Sequence, residues 1–319
     1  MRPVLFSLFG VDVPAYFAML SLGFALATYI GARWLGRLGH DKEVVIDLGL
    51  AMVIAGVVGS RLLHVVADGY FWDYVHLCTD PTKVDWHISR GHCLHASIGG
   101  VWDEARGVCH PREANCFAWA AFWAGGLTYY GGLIAAVGYA VYFLRRERFP
   151  FWKAADMAGF GVALGLAWGR MGCFLAGCCF GTVCDRPWAA WFPRFSPASE
   201  AQFRARQLAS ESLPALPVHP TQLYEALGSW AIAAVGYFLI APRKRYDGQV
   251  FVFFLVAYSV LRTLLELLRN DDRGGLLGLS TSQLISLAIV LPMPWVARHL
   301  RARTRALLPT DEPPSRAEG

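Results

Sequence analysis

Apolar residues in this chain gather in long runs separated by short polar links. Seven runs stand out, at about 16–37, 44–66, 121–144, 154–176, 221–241, 249–268 and 279–297. Each is long enough to cross a hydrocarbon core of about 30 Å as a helix. Such helices are apolar on nearly every face, as lipid requires, because the bilayer offers no hydrogen-bond partner to a polar group. The pattern predicts an all-α integral membrane protein, a bundle of seven transmembrane helices.

Composition agrees with this reading. Hydrophobic residues make up 55% and charged residues 17% of the 319 residues, against about 25% charged in soluble domains. The net charge of +5 matters less than where the cations fall. One set of connections is short and basic: Arg33, Arg37 and Lys42, then Arg145, Arg146, Arg148 and Lys153, then Arg243, Lys244 and Arg245. The tail adds Arg298, Arg301, Arg303, Arg305 and Arg316. Basic short loops mark the cytoplasmic side, so the N-terminus is expected outside and the C-terminus in the cytoplasm. These clusters sit at helix ends, which topology explains without a nucleic acid partner.

Residues 1–300 read as one membrane domain with outer insertions at about 69–120 and 182–218. Residues 301–319 form a basic, then Pro- and Glu-rich tail expected to be disordered. No cleavable signal peptide is evident, so the first span is expected to target the chain. All eight cysteines fall on the outer side in this topology. Cys78, Cys93, Cys109 and Cys116 lie in the first insertion; Cys173, Cys178, Cys179 and Cys184 cluster at the outer end of the fourth span. An oxidising exterior makes them candidates for disulfides, with the pairing left open. The first insertion also gathers His87, His92, His95 and His110, but in no zinc-binding spacing. No metal and no cofactor are expected.

Arg61, Arg170 and Arg262 lie within the apolar runs and are the most informative residues. Tyr258, Arg262, Glu266 and Arg269 recur at helical spacing along one face. Such a stripe must face the bundle or a wet cavity. It serves either as a structural ion pair or as an anion site, because a guanidinium fork matches phosphate oxygens. Only Glu266 is an evident acidic partner for the three arginines, which leaves positive charge for a lipid phosphate. Glycines at 161, 165, 169, 172 and 177 permit close approach beside Arg170. "VHPTQLYEALGSW" (218–230) adds His219, Gln222, Tyr224 and Glu225 at the start of the fifth span. In "FWAGGLTYYGGLI" two Gly-Gly pairs predict a helix break at membrane depth, tolerated where the backbone packs in protein or lines a cavity.

Taken together, these blocks resemble the prolipoprotein diacylglyceryl transferases of bacterial inner membranes. Tyr16 in "PAYFAMLSLGF", "GSR" with Gly59 and Arg61, "YGGLI" at 130–134, "GRMGCF" with Arg170, "HPTQLYEA" at 219–226 and "LSTSQLIS" at 279–286 fall in the family's order. Tyr258, Arg262 and Glu266 match its sixth-helix Tyr, Arg and Glu. Departures are also visible: Tyr130 stands where the family has His, Cys173 where it has Asn, Cys178 where it has Glu, and Ala176 on a second Asn.

The resemblance implies transfer of diacylglyceryl from phosphatidylglycerol to the lipobox cysteine thiol of a prolipoprotein, with a thioether formed and glycerol 1-phosphate released. It implies catalytic roles for Arg170, Arg262, Tyr130 and His219. Phosphatidylglycerol contacts are implied for Tyr16, Arg61, Gly131, Gly132, Gln222, Tyr258, Glu266 and Arg269. The expected partners are an anionic phospholipid and a prolipoprotein signal peptide; the expected protein is a monomer, multi-pass in the inner membrane. Two other readings stay open, a phospholipid-binding paralogue without catalysis and a membrane thiol/disulfide protein acting on exported proteins.

Overall fold

The computed structural model describes residues 2–8, 11–87, 90–94, 100–122, 126–210, 212–269, 275–276 and 278–306. Two compact units divide the chain: residues 1–45 with 150–319, and residues 46–149. A hairpin of β1 (Val4–Leu8) and β2 (Val11–Pro14) leads into α1 (Ala15–Arg37). Then come α2 (Glu43–Ala67), α3 (Phe71–Thr79), α4 (Arg90–Cys93), the strand pair β3 (Val101–Asp103) and β4 (Val108–His110), and α5 (Tyr129–Arg146). The chain continues with α6 (Phe151–Ala176), α7 (Pro197–Arg204), α8 (Thr221–Ala234) and α9 (Gln249–Glu266). It closes with the two-residue strands β5 (Gly275–Leu276) and β6 (Leu279–Ser280), then α10 (Thr281–Val290) and α11 (Met293–Ala306).

Among the described residues, six helical stretches are long and apolar enough to cross a membrane, where the sequence suggested seven. The third expected span, 121–144, is the exception. Its helix begins only at Tyr129, because Gly126 holds a left-handed φ of +66° and breaks the backbone before it. The remaining 18 residues reach about 27 Å at 1.5 Å per residue. The second Gly-Gly pair does not break the helix. It lies inside α5, where a Cβ at Gly131 would collide with the Gly59 carbonyl and one at Gly132 with the Ser60 hydroxyl of α2. The last span is longer than expected: α10 and α11 run on to Ala306 with a break at Leu291–Pro292. Residues 301–306 are therefore helical, held by buried Leu300 and by Arg301 over the Tyr246 ring; residues 307–319 lie outside the described residues.

In the unit of residues 46–149, the insertion at about 69–120 carries two disulfides, Cys78–Cys116 and Cys93–Cys109. These bonds remove Cys93, Cys109 and Cys116 from any metal-binding set. His110 is likewise engaged, with its Nδ1 2.8 Å from the Val84 carbonyl and Asp85 and Asp103 nearby. His95 lies outside the described residues. The Asp103 carboxyl is held below its usual range, chiefly by the backbone N–H of Arg106 and then that of Ala105.

In the other unit, α6 is the central helix and packs on α1, α8 and α9, while α10 packs on α9. Small residues allow these approaches. A Cβ at Gly159 would meet the α9 backbone at 3.0 Å, and one at Gly172 would meet Tyr16 of α1 at the same distance. Ala163, Ile232, Ala233 and Phe254 form the apolar core between α6, α8 and α9. Near the start of α6, buried Asp156 accepts from Lys244 Nζ at 2.8 Å and from Val250 N–H at 2.8 Å. It thereby caps the N-terminus of α9, where orphan N–H groups favour an anion.

Candidate functional site

Arg170 projects from the last turns of α6, and Glu225 from the first turns of α8. Nε of Arg170 lies 3.0 Å from Oε2 of Glu225, whose side chain is 1% exposed. Tyr258 on α9 donates its hydroxyl hydrogen to the other carboxylate oxygen at 2.8 Å. One buried carboxylate thus accepts from groups on two different helices. Arg170 remains 20% exposed, and Glu225 engages only its Nε among the described residues, so both Nη groups can meet a second anion. The expectation that Arg170 lacked an acidic partner is corrected here: Glu225 is 55 residues away in sequence and is brought alongside by the α6–α8 packing.

Arg262 lies one turn beyond Tyr258. It pairs with Glu266 at 2.8 Å through Nη1 and donates from Nη2 to Ser282 Oγ of α10 at 3.0 Å. The pair is close but poorly aligned, which leaves Nη1 of Arg262 and Oε2 of Glu266 buried without a directed hydrogen bond. Such groups are costly unless a further partner completes them. Ser259, Val260, Thr263 and Leu264 of α9 face Gln283, Ser286, Leu287 and Val290 of α10 across an almost wholly apolar groove of about 330 Å³. Charge and groove lie on the same helix pair. Ser280 and Gln283 cap α10 reciprocally, which fixes the start of the helix that carries Ser282.

The thiols form a third feature. Gly177, at φ +76°, ends α6, and Cys179 follows in the left-handed region at φ +63°. That conformation costs a non-glycine residue about 1–2 kcal/mol. The turn folds Cys178 and Cys179 back over Cys173, and the three sulfurs lie within 4.8 Å of one another. Thr221 and Gln222 pin it by donating to the carbonyls of Cys179 and Cys178 at 2.9 and 2.6 Å. Arg269 adds a longer contact of 3.5 Å to the Cys179 carbonyl. The Cys179 thiol is held far below its ordinary range by hydrogen bonds from Cys173 and Cys178, then by Arg170 and Arg269. The expected bracing disulfides are not formed: Cys173, Cys178, Cys179 and Cys184 are free thiols. Three sulfurs meet at one point, and Cys184 is held elsewhere, its N–H donating to the Pro217 carbonyl.

Other expected site residues sit differently. Arg61 is buried, and its guanidinium donates to the carbonyls of Trp119, Ala118 and Gly126 and stacks on Tyr74. It clamps backbone with these donors. Gly131 and Gly132 are packing glycines against α2. Tyr130, in the same unit of residues 46–149, is 59% exposed with its ring against Tyr129. In the other unit, His219 places Nδ1 3.3 Å from the Tyr224 hydroxyl, while its backbone pairs with Gly181 and Thr182. Tyr16 lies against Gly172, within electrostatic range of Arg170 and Cys173. The roles of Glu225, Ser282 and the Cys173–Cys178–Cys179 group were not read from the sequence. The Ser-x-x-Gln spacing at 280–283 could have signalled the cap, but nothing local signals the other contacts.

The chain matches known proteins over nearly its whole length. The family model described as prolipoprotein diacylglyceryl transferase matches residues 3–297. A phosphatidylglycerol–prolipoprotein diacylglyceryl transferase of Clostridium tetani is 26% identical over 295 residues, covering 91% of this chain and 94% of the relative. The protein of the same name from Sodalis glossinidius is 29% identical, with 93% of each chain covered. That from Polynucleobacter necessarius reaches 32% over 53% of this chain and 58% of its own. With nearly its whole length matched by the family model, the chain belongs to the prolipoprotein diacylglyceryl transferase family.

Proposed function

We propose that this chain transfers the diacylglyceryl group of phosphatidylglycerol to the lipobox cysteine thiol of a prolipoprotein. The observation that carries the reading is a pair of arginines, half-buried Arg170 and buried Arg262, each held by a carboxylate yet with donors left over, together with an apolar groove on α9 and α10. Arg262 and Arg170 bind the lipid phosphate, and an acyl chain fills the groove. Fixed guanidinium donors in a dry site favour the charge that develops on the leaving phosphate. The acceptor sulfur forms a bond to the glyceryl carbon, the carbon–oxygen bond to phosphate breaks, and glycerol 1-phosphate departs with the electron pair. Glu225 and Glu266 orient the guanidinium groups. Tyr258 fixes Glu225, and Gln222 holds the turn at Cys178. Tyr130, which the resemblance sets at the position of the family's histidine, offers a phenol in its place.

The protein works as a multi-pass protein of the inner membrane, with its N-terminus outside. The test is complementation of a bacterium depleted of its own transferase, with mass spectrometry of a test lipoprotein. Diacylglyceryl on the lipobox cysteine, lost in Arg170→Ala and Arg262→Ala, is the expected result. Unmodified lipoprotein despite correctly inserted protein would overturn it in favour of a phospholipid-binding role.

A further inference from the structure

We infer that Cys173, Cys178 and Cys179 form a binding site for a thiophilic divalent cation of the zinc class, with one coordination position open to the acceptor thiol. This builds on the transferase reading above and departs from the sequence-based expectation that the protein uses no metal.

The geometry is the first argument. The three sulfurs lie within 4.8 Å of one another. Zinc–thiolate bonds of about 2.3 Å in a tetrahedron place sulfurs about 3.8 Å apart, so the cluster needs to contract by about 1 Å at most. The backbone is already shaped for this contraction: Gly177 and Cys179 both adopt left-handed conformations. Their turn is tied down by Gln222, Thr221 and Arg269 through the Cys178 and Cys179 carbonyls.

The number of sulfurs is the second argument. A disulfide would use two and strand the third in the same cluster. A soft cation uses all three, and three protein ligands with an open fourth position is the arrangement of catalytic rather than structural zinc. Three thiolates around a divalent ion leave one negative charge, next to the guanidinium groups of Arg170 and Arg269, which both act on the Cys179 sulfur.

The third argument is access. Cys179 lines a cavity of about 330 Å³ together with Phe180, Gln202 and Arg269, so the cluster borders open space beside α7 through Cys179. An acceptor cysteine arriving there as a thiol would lose its proton to solvent on joining the cation, because metal-bound thiols are deprotonated. The bound thiolate then makes the carbon–sulfur bond while the phosphate leaves. The thioether product carries no charge, binds the cation weakly and departs. This gives the chain a source of thiolate although Tyr130 occupies the position of the family's histidine.

The experiment measures metal and transfer separately on the full chain purified in detergent. Zinc content is measured per chain, cobalt(II) is substituted as a spectroscopic probe, and transfer to a lipobox peptide is followed by mass in phosphatidylglycerol vesicles. One metal per chain, with thiolate-to-cobalt charge-transfer bands that vanish in Cys179→Ser and persist in Cys184→Ser, is the expected result. Transfer should fall about a hundredfold on chelation, the size of a lost acid–base contribution, and return with zinc. Metal-free wild-type protein, or a disulfide between two of the three cysteines, would overturn the site whether or not transfer proceeds. Bound metal with transfer indifferent to chelation would overturn the acceptor role. Bound metal in a chain that transfers nothing would uphold the cation site and overturn the transferase reading.

Discussion

Nε of Arg170 and Oε2 of Glu225 meet at 3.0 Å across the α6–α8 contact, with the carboxylate almost wholly buried. The pair joins a cation that lipid cannot satisfy to an anion that it cannot satisfy either. Breaking a buried pair from one side leaves the other charge unpaired, at about 3–5 kcal/mol.

Glu225→Ala should therefore both unfold earlier and transfer more slowly than wild type. Arg170→Ala should lose about 10²–10³ in rate, as for removal of one oxyanion donor. Thermal unfolding in detergent, read beside single-turnover transfer, separates the two effects. Tyr258→Phe keeps its ring stacked on Phe254 and loses only the hydrogen bond to a charged group, worth about 1.5–3 kcal/mol.

Arg262→Lys keeps the charge and discards the fork that reaches both Glu266 and Ser282. The expected result is a raised KM for phosphatidylglycerol, because a point charge cannot engage two partners and a phosphate together. Ser282→Ala should move in the same direction but by less, about tenfold. A titration of transfer rate against lipid mole fraction reads both.

Tyr130→His should change the pH profile rather than the fold, since the side chain is 59% exposed. An imidazole of pKa near about 6.5 would add a rise in rate through that pH. An unchanged profile would show that no base acts from this position.

The insertion at about 69–120 should depend on its disulfides. Closing separations of 38 and 16 residues stabilises a fold by about 4 and about 3 kcal/mol in the chain-entropy view. Cys78→Ser and Cys93→Ser should expose the insertion to protease while α1, α6, α8 and α9 stay resistant, as limited proteolysis with mass mapping would show.

Asp156 anchors the opposite end of the helix core. Asp156→Ala removes the cap of α9 and leaves Lys244 without its buried partner. A loss of about 3 kcal/mol is expected, read as earlier thermal unfolding, with the transfer rate of the surviving folded protein close to wild type.

What the sequence determined by itself follows from rules that act over a few residues. Long apolar runs dictated membrane helices, because an unpaired backbone in lipid has no alternative. The Arg262–Glu266 pair was readable because a spacing of four shares one helix face, and the arginines were conspicuous because charge is rare in such runs. Residues far apart in sequence were not readable in this way. Arg170 with Glu225, Asp156 with Lys244, and Arg61 with the carbonyls of residues 118–126 meet only after helices or loops have chosen partners. Apolar helices carry little directional pattern, so glycine contacts decide which faces meet, as at Gly159 and Gly172. The tertiary structure alone decided whether an arginine clamps backbone, as Arg61 does, or pairs with a distant carboxylate, as Arg170 does. It alone brought three thiols within reach of one another, because the left-handed turn at Gly177 and Cys179 folds the chain back over Cys173.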